Sequence, residues 1–228
     1  MTINKADIVS LAGLSLAGAS IPIAIFGYIE PAIRILFIAY LMDILDGWIA
    51  RRLGEASQQG FMLDRAIDRV SQVIAPLIIY LSWVPKENAI HLALLTVYSS
   101  IIITTAFYRL IYRGVRSLEY FSGLPMFFHA GILIMSSIIK YNINPLILVI
   151  GSILSLLPVR YFRRIPREGR TPSPAVSLRA SIVLIMAIIP YNITMVELVA
   201  RSLIYILIVY MITGPIIYWY VERVTRKS

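Results

Sequence analysis

Residues 43–68 read Asp-Ile-Leu-Asp-Gly-Trp-Ile-Ala-Arg-Arg-Leu-Gly-Glu-Ala-Ser-Gln-Gln-Gly-Phe-Met-Leu-Asp-Arg-Ala-Ile-Asp. The chain has five aspartates, and four of them stand here, as Asp43, Asp46, Asp64 and Asp68. Apolar runs flank the stretch on both sides, at about 32–53 and 61–84. If both runs are helices, the i,i+3 pair Asp43/Asp46 shares one helix face and the i,i+4 pair Asp64/Asp68 shares another. The connection around Leu53–Gln59 is short, so the two helices form an antiparallel hairpin. At about 1.5 Å rise per residue, Asp46 and Asp64 each lie roughly 6–12 Å from the loop, which lets all four carboxylates meet at similar depth.

The rest of the sequence supplies the setting. The 228 residues are 59% hydrophobic and only 14% charged, and the mean hydropathy is +0.80. A water-soluble domain carries about a quarter charged residues, so the deficit points to lipid as the solvent. Apolar stretches recur at about 8–29, 32–53, 61–84, 89–111, 122–139, 144–160, 175–192 and 197–221, and a span needs about 20 residues. Backbone groups in hydrocarbon must be satisfied within the segment, which makes these runs helices. The expected architecture is therefore all-α: one polytopic membrane domain over 1–228, a helical bundle with about eight transmembrane helices. Gly214-Pro215 should kink the eighth segment without ending it. The N-terminal residues lack a basic region before their apolar core and read as the start of the first span, not as a cleaved signal.

Arginines gather on alternate connections: Arg51 and Arg52, then Arg109, Arg113 and Arg116, then the 160–179 stretch, then Arg223 and Arg226. That bias places both termini and the carboxylate hairpin on the cytoplasmic side, in the cell membrane. The same topology reading accounts for the net charge of +9 without a nucleic-acid partner. With no cysteine in the chain, disulfides, thiolate metal sites and cysteine nucleophiles are excluded.

Each aspartate within a span costs on the order of 2.5–3.5 kcal/mol, and four together repel one another unless a cation neutralises them. Oxygen ligands with no His or Cys beside them favour Mg²⁺, Mn²⁺ or Ca²⁺. Pairing with Arg51, Arg65 and Arg69 is the structural alternative, but ion pairing does not require this spacing. Gly47, Ala50 and Gly60 are small residues that leave room beside the carboxylates for a substrate or, more plainly, for a neighbouring helix. Arg51 is placed to meet a phosphate.

Taken together, Asp43-x-x-Asp46-Gly47-x-x-Ala50-Arg51, eight residues, then Gly60-x-x-x-Asp64-x-x-x-Asp68 resembles the full signature of the CDP-alcohol phosphatidyltransferases. Eight fixed residues at fixed spacing match by chance at roughly 10⁻⁸ in a chain of this length. The resemblance implies that Asp43, Asp46 and Asp64 hold one or two divalent ions, Mg²⁺ or Mn²⁺, with Asp68 assisting. It implies a CDP-lipid donor whose nucleotide lies against Gly47, Ala50, Arg51 and Gly60, and a small-alcohol acceptor deprotonated by Asp68 as CMP leaves. It also implies a homodimer among membrane lipids. Ser10 is placed at the nucleotide by the same analogy.

A second likeness concerns the acceptor. Lys5–Leu11, Arg109-Leu110 and Phe121-Ser122-Gly123-Leu124-Pro125 are similar to stretches of the phosphatidylserine synthase branch, its archaeal members included. Gly13 and the 110–116 segment depart from that branch's pattern. Serine is the expected acceptor, with inositol phosphate or glycerol phosphate as the alternative. Arg109, Arg113 and Arg116, near the end of the fourth span, are the expected ligands of an acceptor carboxylate or phosphate, which a guanidinium binds bidentately. His129 reads as a hydrogen-bonded histidine inside a span. A cation transporter would place carboxylates in several spans and would give Gly47, Ala50 and Arg51 no role.

Overall fold

Among the described residues (5–54, 58–112, 120–162 and 174–225) of this computed structural model, helix accounts for nearly all regular structure. The helices are α1 (Lys5–Ile25), α2 (Ile29–Leu53), α3 (Gln58–Arg69), α4 (Ala75–Trp83), α5 (Ala89–Tyr112), α6 (Met126–Ile138), α7 (Pro145–Leu156), α8 (Pro174–Ile188) and α9 (Thr194–Thr225). A π-helical turn, Val70–Ile74, joins α3 to α4, so the third apolar run is one rod with a change of pitch. Eight rods thus stand where eight apolar segments were expected, and the chain is an all-α membrane protein.

The rods differ in length from that expectation. Three are long and apolar enough to cross a membrane: Ala6–Ile25, Ala89–Ile111 and Thr194–Arg223. The expected segments 122–139 and 144–160 shorten to α6 and α7 because their outer ends leave the helix. Residues Tyr120–Ser122 (β1) and Arg160–Phe162 (β2) pair antiparallel as a two-stranded ribbon, with Phe121 opposite Tyr161. Proline sets these boundaries. Pro125 precedes α6 in extended conformation, and Pro145 occupies the first turn of α7, whose Asn144 side chain accepts the Leu146 N–H at 3.0 Å. The α2 rod has the length of a span but carries Glu30, Arg34, Asp43 and Asp46, so its composition is not that of a lipid-facing helix.

Two compact units emerge from the packing. The first comprises α1, α2, the α3–α4 rod and α8. Here α1 lies against α2 through small side chains: Ala17, Ala24 and Ala32 are fully buried, and a Cβ on Gly13 would come within 3.2 Å of Met42 Cβ. Close approach of backbones through small residues is how helices pack without a solvent-driven hydrophobic effect. Arg34 on α2 caps the end of α8, donating to Ala187 O at 2.7 Å and Ile189 O at 2.9 Å. Gly54, left-handed at φ 68°, closes α2 by donating its N–H to Ala50 O and begins the turn toward α3.

The second unit comprises α5, α6, α7, α9 and the ribbon. Pro215 lies inside α9, which runs through it unbroken, in line with the expected tolerance of Gly214-Pro215. A proline four residues on deprives Met211 O of its helical N–H donor. The fully buried Tyr161 of β2 supplies the replacement, its hydroxyl donating to Met211 O at 3.0 Å. In a membrane protein this repair matters, because no water is at hand to make it.

Candidate metal centre

Both halves of the expected hairpin are present. Asp43 and Asp46 stand on the second half of α2, and Asp64 and Asp68 on α3. Asp43, Asp46 and Asp64 converge: one carboxylate oxygen from each lies within 4.8 Å of the others. Asp46 is the most enclosed of the three, at 5% exposure. Among the described residues, no salt bridge within 4.0 Å joins Asp43, Asp64 or Asp68 to an arginine or lysine. Three carboxylates brought this close form a site of strong negative potential. The hard-oxygen donor set fits Mg²⁺ or Mn²⁺.

The surrounding side chains orient this cluster. Ser10 on α1, itself buried, donates its hydroxyl to Asp46 Oδ2 at 2.5 Å, with Ala6 O a second acceptor at 3.1 Å. Ser10 therefore acts on the carboxylate cluster directly, a contact the analogy with a nucleotide-binding serine did not anticipate. Asp68 stands one turn beyond Asp64 and outside the three-carboxylate group. Its Oδ1 accepts a hydrogen bond from Gln72 Nε2 at 2.5 Å. Neither Gln72 nor Tyr40, whose hydroxyl donates to Ser71 O at 2.9 Å, stood out in the sequence. The i,i+4 spacing of Asp68 and Gln72 was the available signal for the first; nothing local signals the second.

Gly47 and Ala50 are half-buried on α2 around the carboxylates, and Gly60 is half-buried near the start of α3. Arg51 belongs to the last turn of α2. Its neighbour Arg52 lies over the Trp48 ring, 5.1 Å from the centroid. Trp48 Nε1 is buried with no partner among the described residues.

The expected acceptor arginines divide. Arg109 is 8% exposed, and its guanidinium donates to Leu124 O at 2.9 Å, Ser122 O at 2.6 Å and Ser155 O at 2.5 Å. It ties α5 to the β1–α6 turn and to the end of α7. Gly123 permits this: at φ +80° it adopts a conformation that L side chains rarely take, and an added Cβ would collide with Arg109 Nη2. Arg113 and Arg116 lie outside the described residues. His129 is fully buried, with Nε2 2.9 Å from Ser155 Oγ and Nδ1 3.3 Å from Tyr98 Oη, the hydrogen-bonded state expected of it.

Comparison with known proteins decides the family. The family model for CDP-alcohol phosphatidyltransferase matches residues 3–213, nearly the whole chain. The chain belongs to the CDP-alcohol phosphatidyltransferase family. Within it, the chain is similar to the CDP-diacylglycerol–inositol 3-phosphatidyltransferase 1 of Arabidopsis thaliana, 37% identical over 67 residues, or 29% of each chain. It is also similar to the archaetidylserine synthase of Methanothermobacter thermautotrophicus, 35% identical over 78 residues, 33% of this chain and 34% of that one. These matches span about a third of the relatives' length. Family membership and the apolar helices together make this an integral membrane protein.

Proposed function

We propose that the protein transfers a lipid-phosphate group from a CDP-lipid to L-serine, releasing CMP, within phospholipid biosynthesis. The observation that carries the reading is the convergence of Asp43, Asp46 and Asp64 within 4.8 Å, inside a sequence signature of the family. These three residues would hold one or two divalent ions, with Asp68 assisting. A bound Mg²⁺ or Mn²⁺ supplies Lewis-acid neutralisation of the donor pyrophosphate. Gly47, Ala50, Arg51 and Gly60 receive the nucleotide, the small residues leaving room and Arg51 meeting a phosphate. Ser10 fixes the orientation of Asp46.

Asp68 is the general base. It takes the proton of the acceptor hydroxyl as that oxygen forms its bond to the lipid-linked phosphorus. The bond from phosphorus to the CMP oxygen breaks, and its electron pair leaves with CMP. Base and acceptor must come within about 2.6–3.2 Å for this transfer. The position of Asp68, one turn away from the three-carboxylate group, suits a residue whose basicity is not spent wholly on a metal. Arg109 is committed to the backbone carbonyls of Ser122, Leu124 and Ser155; Arg113 and Arg116 are the proposed direct contacts to the acceptor. The site faces the cytoplasm of the cell membrane, in keeping with the arginine bias of the connections, and the working unit is a homodimer.

Serine as acceptor draws on the likeness to archaetidylserine synthase. Inositol phosphate is the second reading, favoured by the likeness to the plant inositol phosphatidyltransferase, and glycerol phosphate would use the same arginines. CMP release by purified protein, supplied with a CDP-lipid and Mn²⁺, separates these acceptors when they are tested in parallel. Serine-dependent release is expected. Release only with a phosphorylated alcohol overturns the acceptor and keeps the aspartate chemistry.

A further inference from the structure

Asp68 stands where α3 gives way to the π-helical turn, and two side-chain hydrogen bonds meet there. Gln72 Nε2 donates to Asp68 Oδ1, and Tyr40 Oη donates to Ser71 O. Tyr40 lies one turn before Asp43 on α2, so its bond ties the helix bearing Asp43 and Asp46 to the turn bearing Gln72. The turn is held from within as well. Ala75 N–H reaches back five residues to Val70 O, and the buried Ser71 donates its hydroxyl to Ile67 O at 3.2 Å. Single π-turns inside α-helices are rare and recur at functional sites. This one begins two residues after Asp68.

We propose that Gln72 is a positioning residue for Asp68. Its carboxamide holds Oδ1, so that Oδ2, which carries no hydrogen bond among the described residues, is presented to the acceptor hydroxyl. Tyr40 holds the turn on which Gln72 rides. A carboxamide suits this role because it donates to a carboxylate without competing for the proton that the carboxylate must take. An unheld aspartate samples several orientations, few of which place an oxygen within reach of the acceptor. The inference rests on the proposed role of Asp68 as base.

The test uses the full chain, with Gln72→Leu, Gln72→Met and Asp68→Asn assayed side by side for CMP release. Mn²⁺ binding is followed by electron paramagnetic resonance on the same preparations. Loss of an orienting partner typically costs about 10–100-fold. Both Gln72 variants are expected to lose about that much in kcat, while the KM for CDP-lipid and the Mn²⁺ affinity stay within about twofold of wild type. A folded variant with wild-type kcat overturns the proposal. So does a loss explained by a raised donor KM or weakened Mn²⁺ binding, which would make Gln72 part of the donor or metal site. If both apolar variants fail to fold, Gln72→Asn decides, since its amide is one methylene short of Asp68. Reduced kcat at unchanged KM then supports the role, and wild-type kcat or misfolding overturns it. Wild-type turnover in Asp68→Asn sinks the base assignment itself; an inactive Asp68→Asn beside a fully active Gln72→Leu sinks only the positioning role.

Discussion

The two units bury polar side chains in opposite ways. In the unit built from α5, α6, α7 and α9, Arg109, His129 and Ser155 form one connected network, and Arg109 alone serves three carbonyls. In the unit built from α1 to α4 and α8, three carboxylates converge within 4.8 Å, and neither Asp43 nor Asp64 has an ion pair among the described residues. Satisfied buried networks rigidify a fold. Like charges brought together cost free energy, and such costly clusters recur at functional sites. Arg109, one of the three arginines expected to meet the acceptor, therefore serves the fold, whereas the aspartates, costly to the fold, are the proposed seat of the chemistry.

The sharpest way to break this contrast is to alter one residue in each region and compare turnover with stability. Asp64→Asn should leave the protein folded, because it relieves repulsion, and should lower turnover by at least about 10³-fold, the scale of losing a principal electrostatic stabiliser. Wild-type CMP release from that variant would remove Asp64 from the site. Gly123→Ala should do the reverse and act through stability. Its Cβ meets Arg109 and the Ser155 and Leu157 carbonyls under 3 Å, at a positive φ. A loss of about 3–5 kcal/mol is expected, the scale of disrupting a buried charged network, visible as a fall in thermal midpoint in detergent. An unchanged midpoint would mean that the Arg109 clamp carries no stability. The smallest of these effects belongs to Ser10→Ala, which removes the hydrogen bond to Asp46. Mn²⁺ affinity should weaken by about tenfold with little change in folding. If instead the KM for CDP-lipid rises while Mn²⁺ binding is untouched, Ser10 contacts the nucleotide and not the carboxylate cluster.

How far these roles could be read from the sequence depended on whether each was encoded locally. The spacing of Asp43, Asp46 and Asp64, with a short loop between the two helices, was sufficient to bring three carboxylates together, because helical geometry and an antiparallel hairpin leave little freedom; Asp68, expected to join them, stands outside the group. The eight rods were legible for a similar reason: hydrophobic runs in lipid have only helix to form. The ends of α6 and α7 were not, since the pairing of Tyr120–Ser122 with Arg160–Phe162 joins segments far apart in the chain. The π-helical turn left no trace in composition, because Val70–Ile74 would suit an ordinary helix; Tyr40, 31 residues before Ser71, holds it. Arg109 shows the plainest limit. A guanidinium bound for a substrate carboxylate and one bound for three carbonyls look alike until the acceptors are placed, and Gly123, beside the Ser122 and Leu124 carbonyls that Arg109 reaches, was the one local hint.

The central claim is that Asp43, Asp46 and Asp64 form one divalent-cation site. The measurement that tests it most directly is a Mn²⁺ titration of the purified protein, followed by electron paramagnetic resonance, for wild type and for the Asp43→Asn/Asp46→Asn double variant. Saturable binding of one or two ions by wild type, lost in the folded double variant, is the expected result. Equal Mn²⁺ binding by the two proteins would contradict the account.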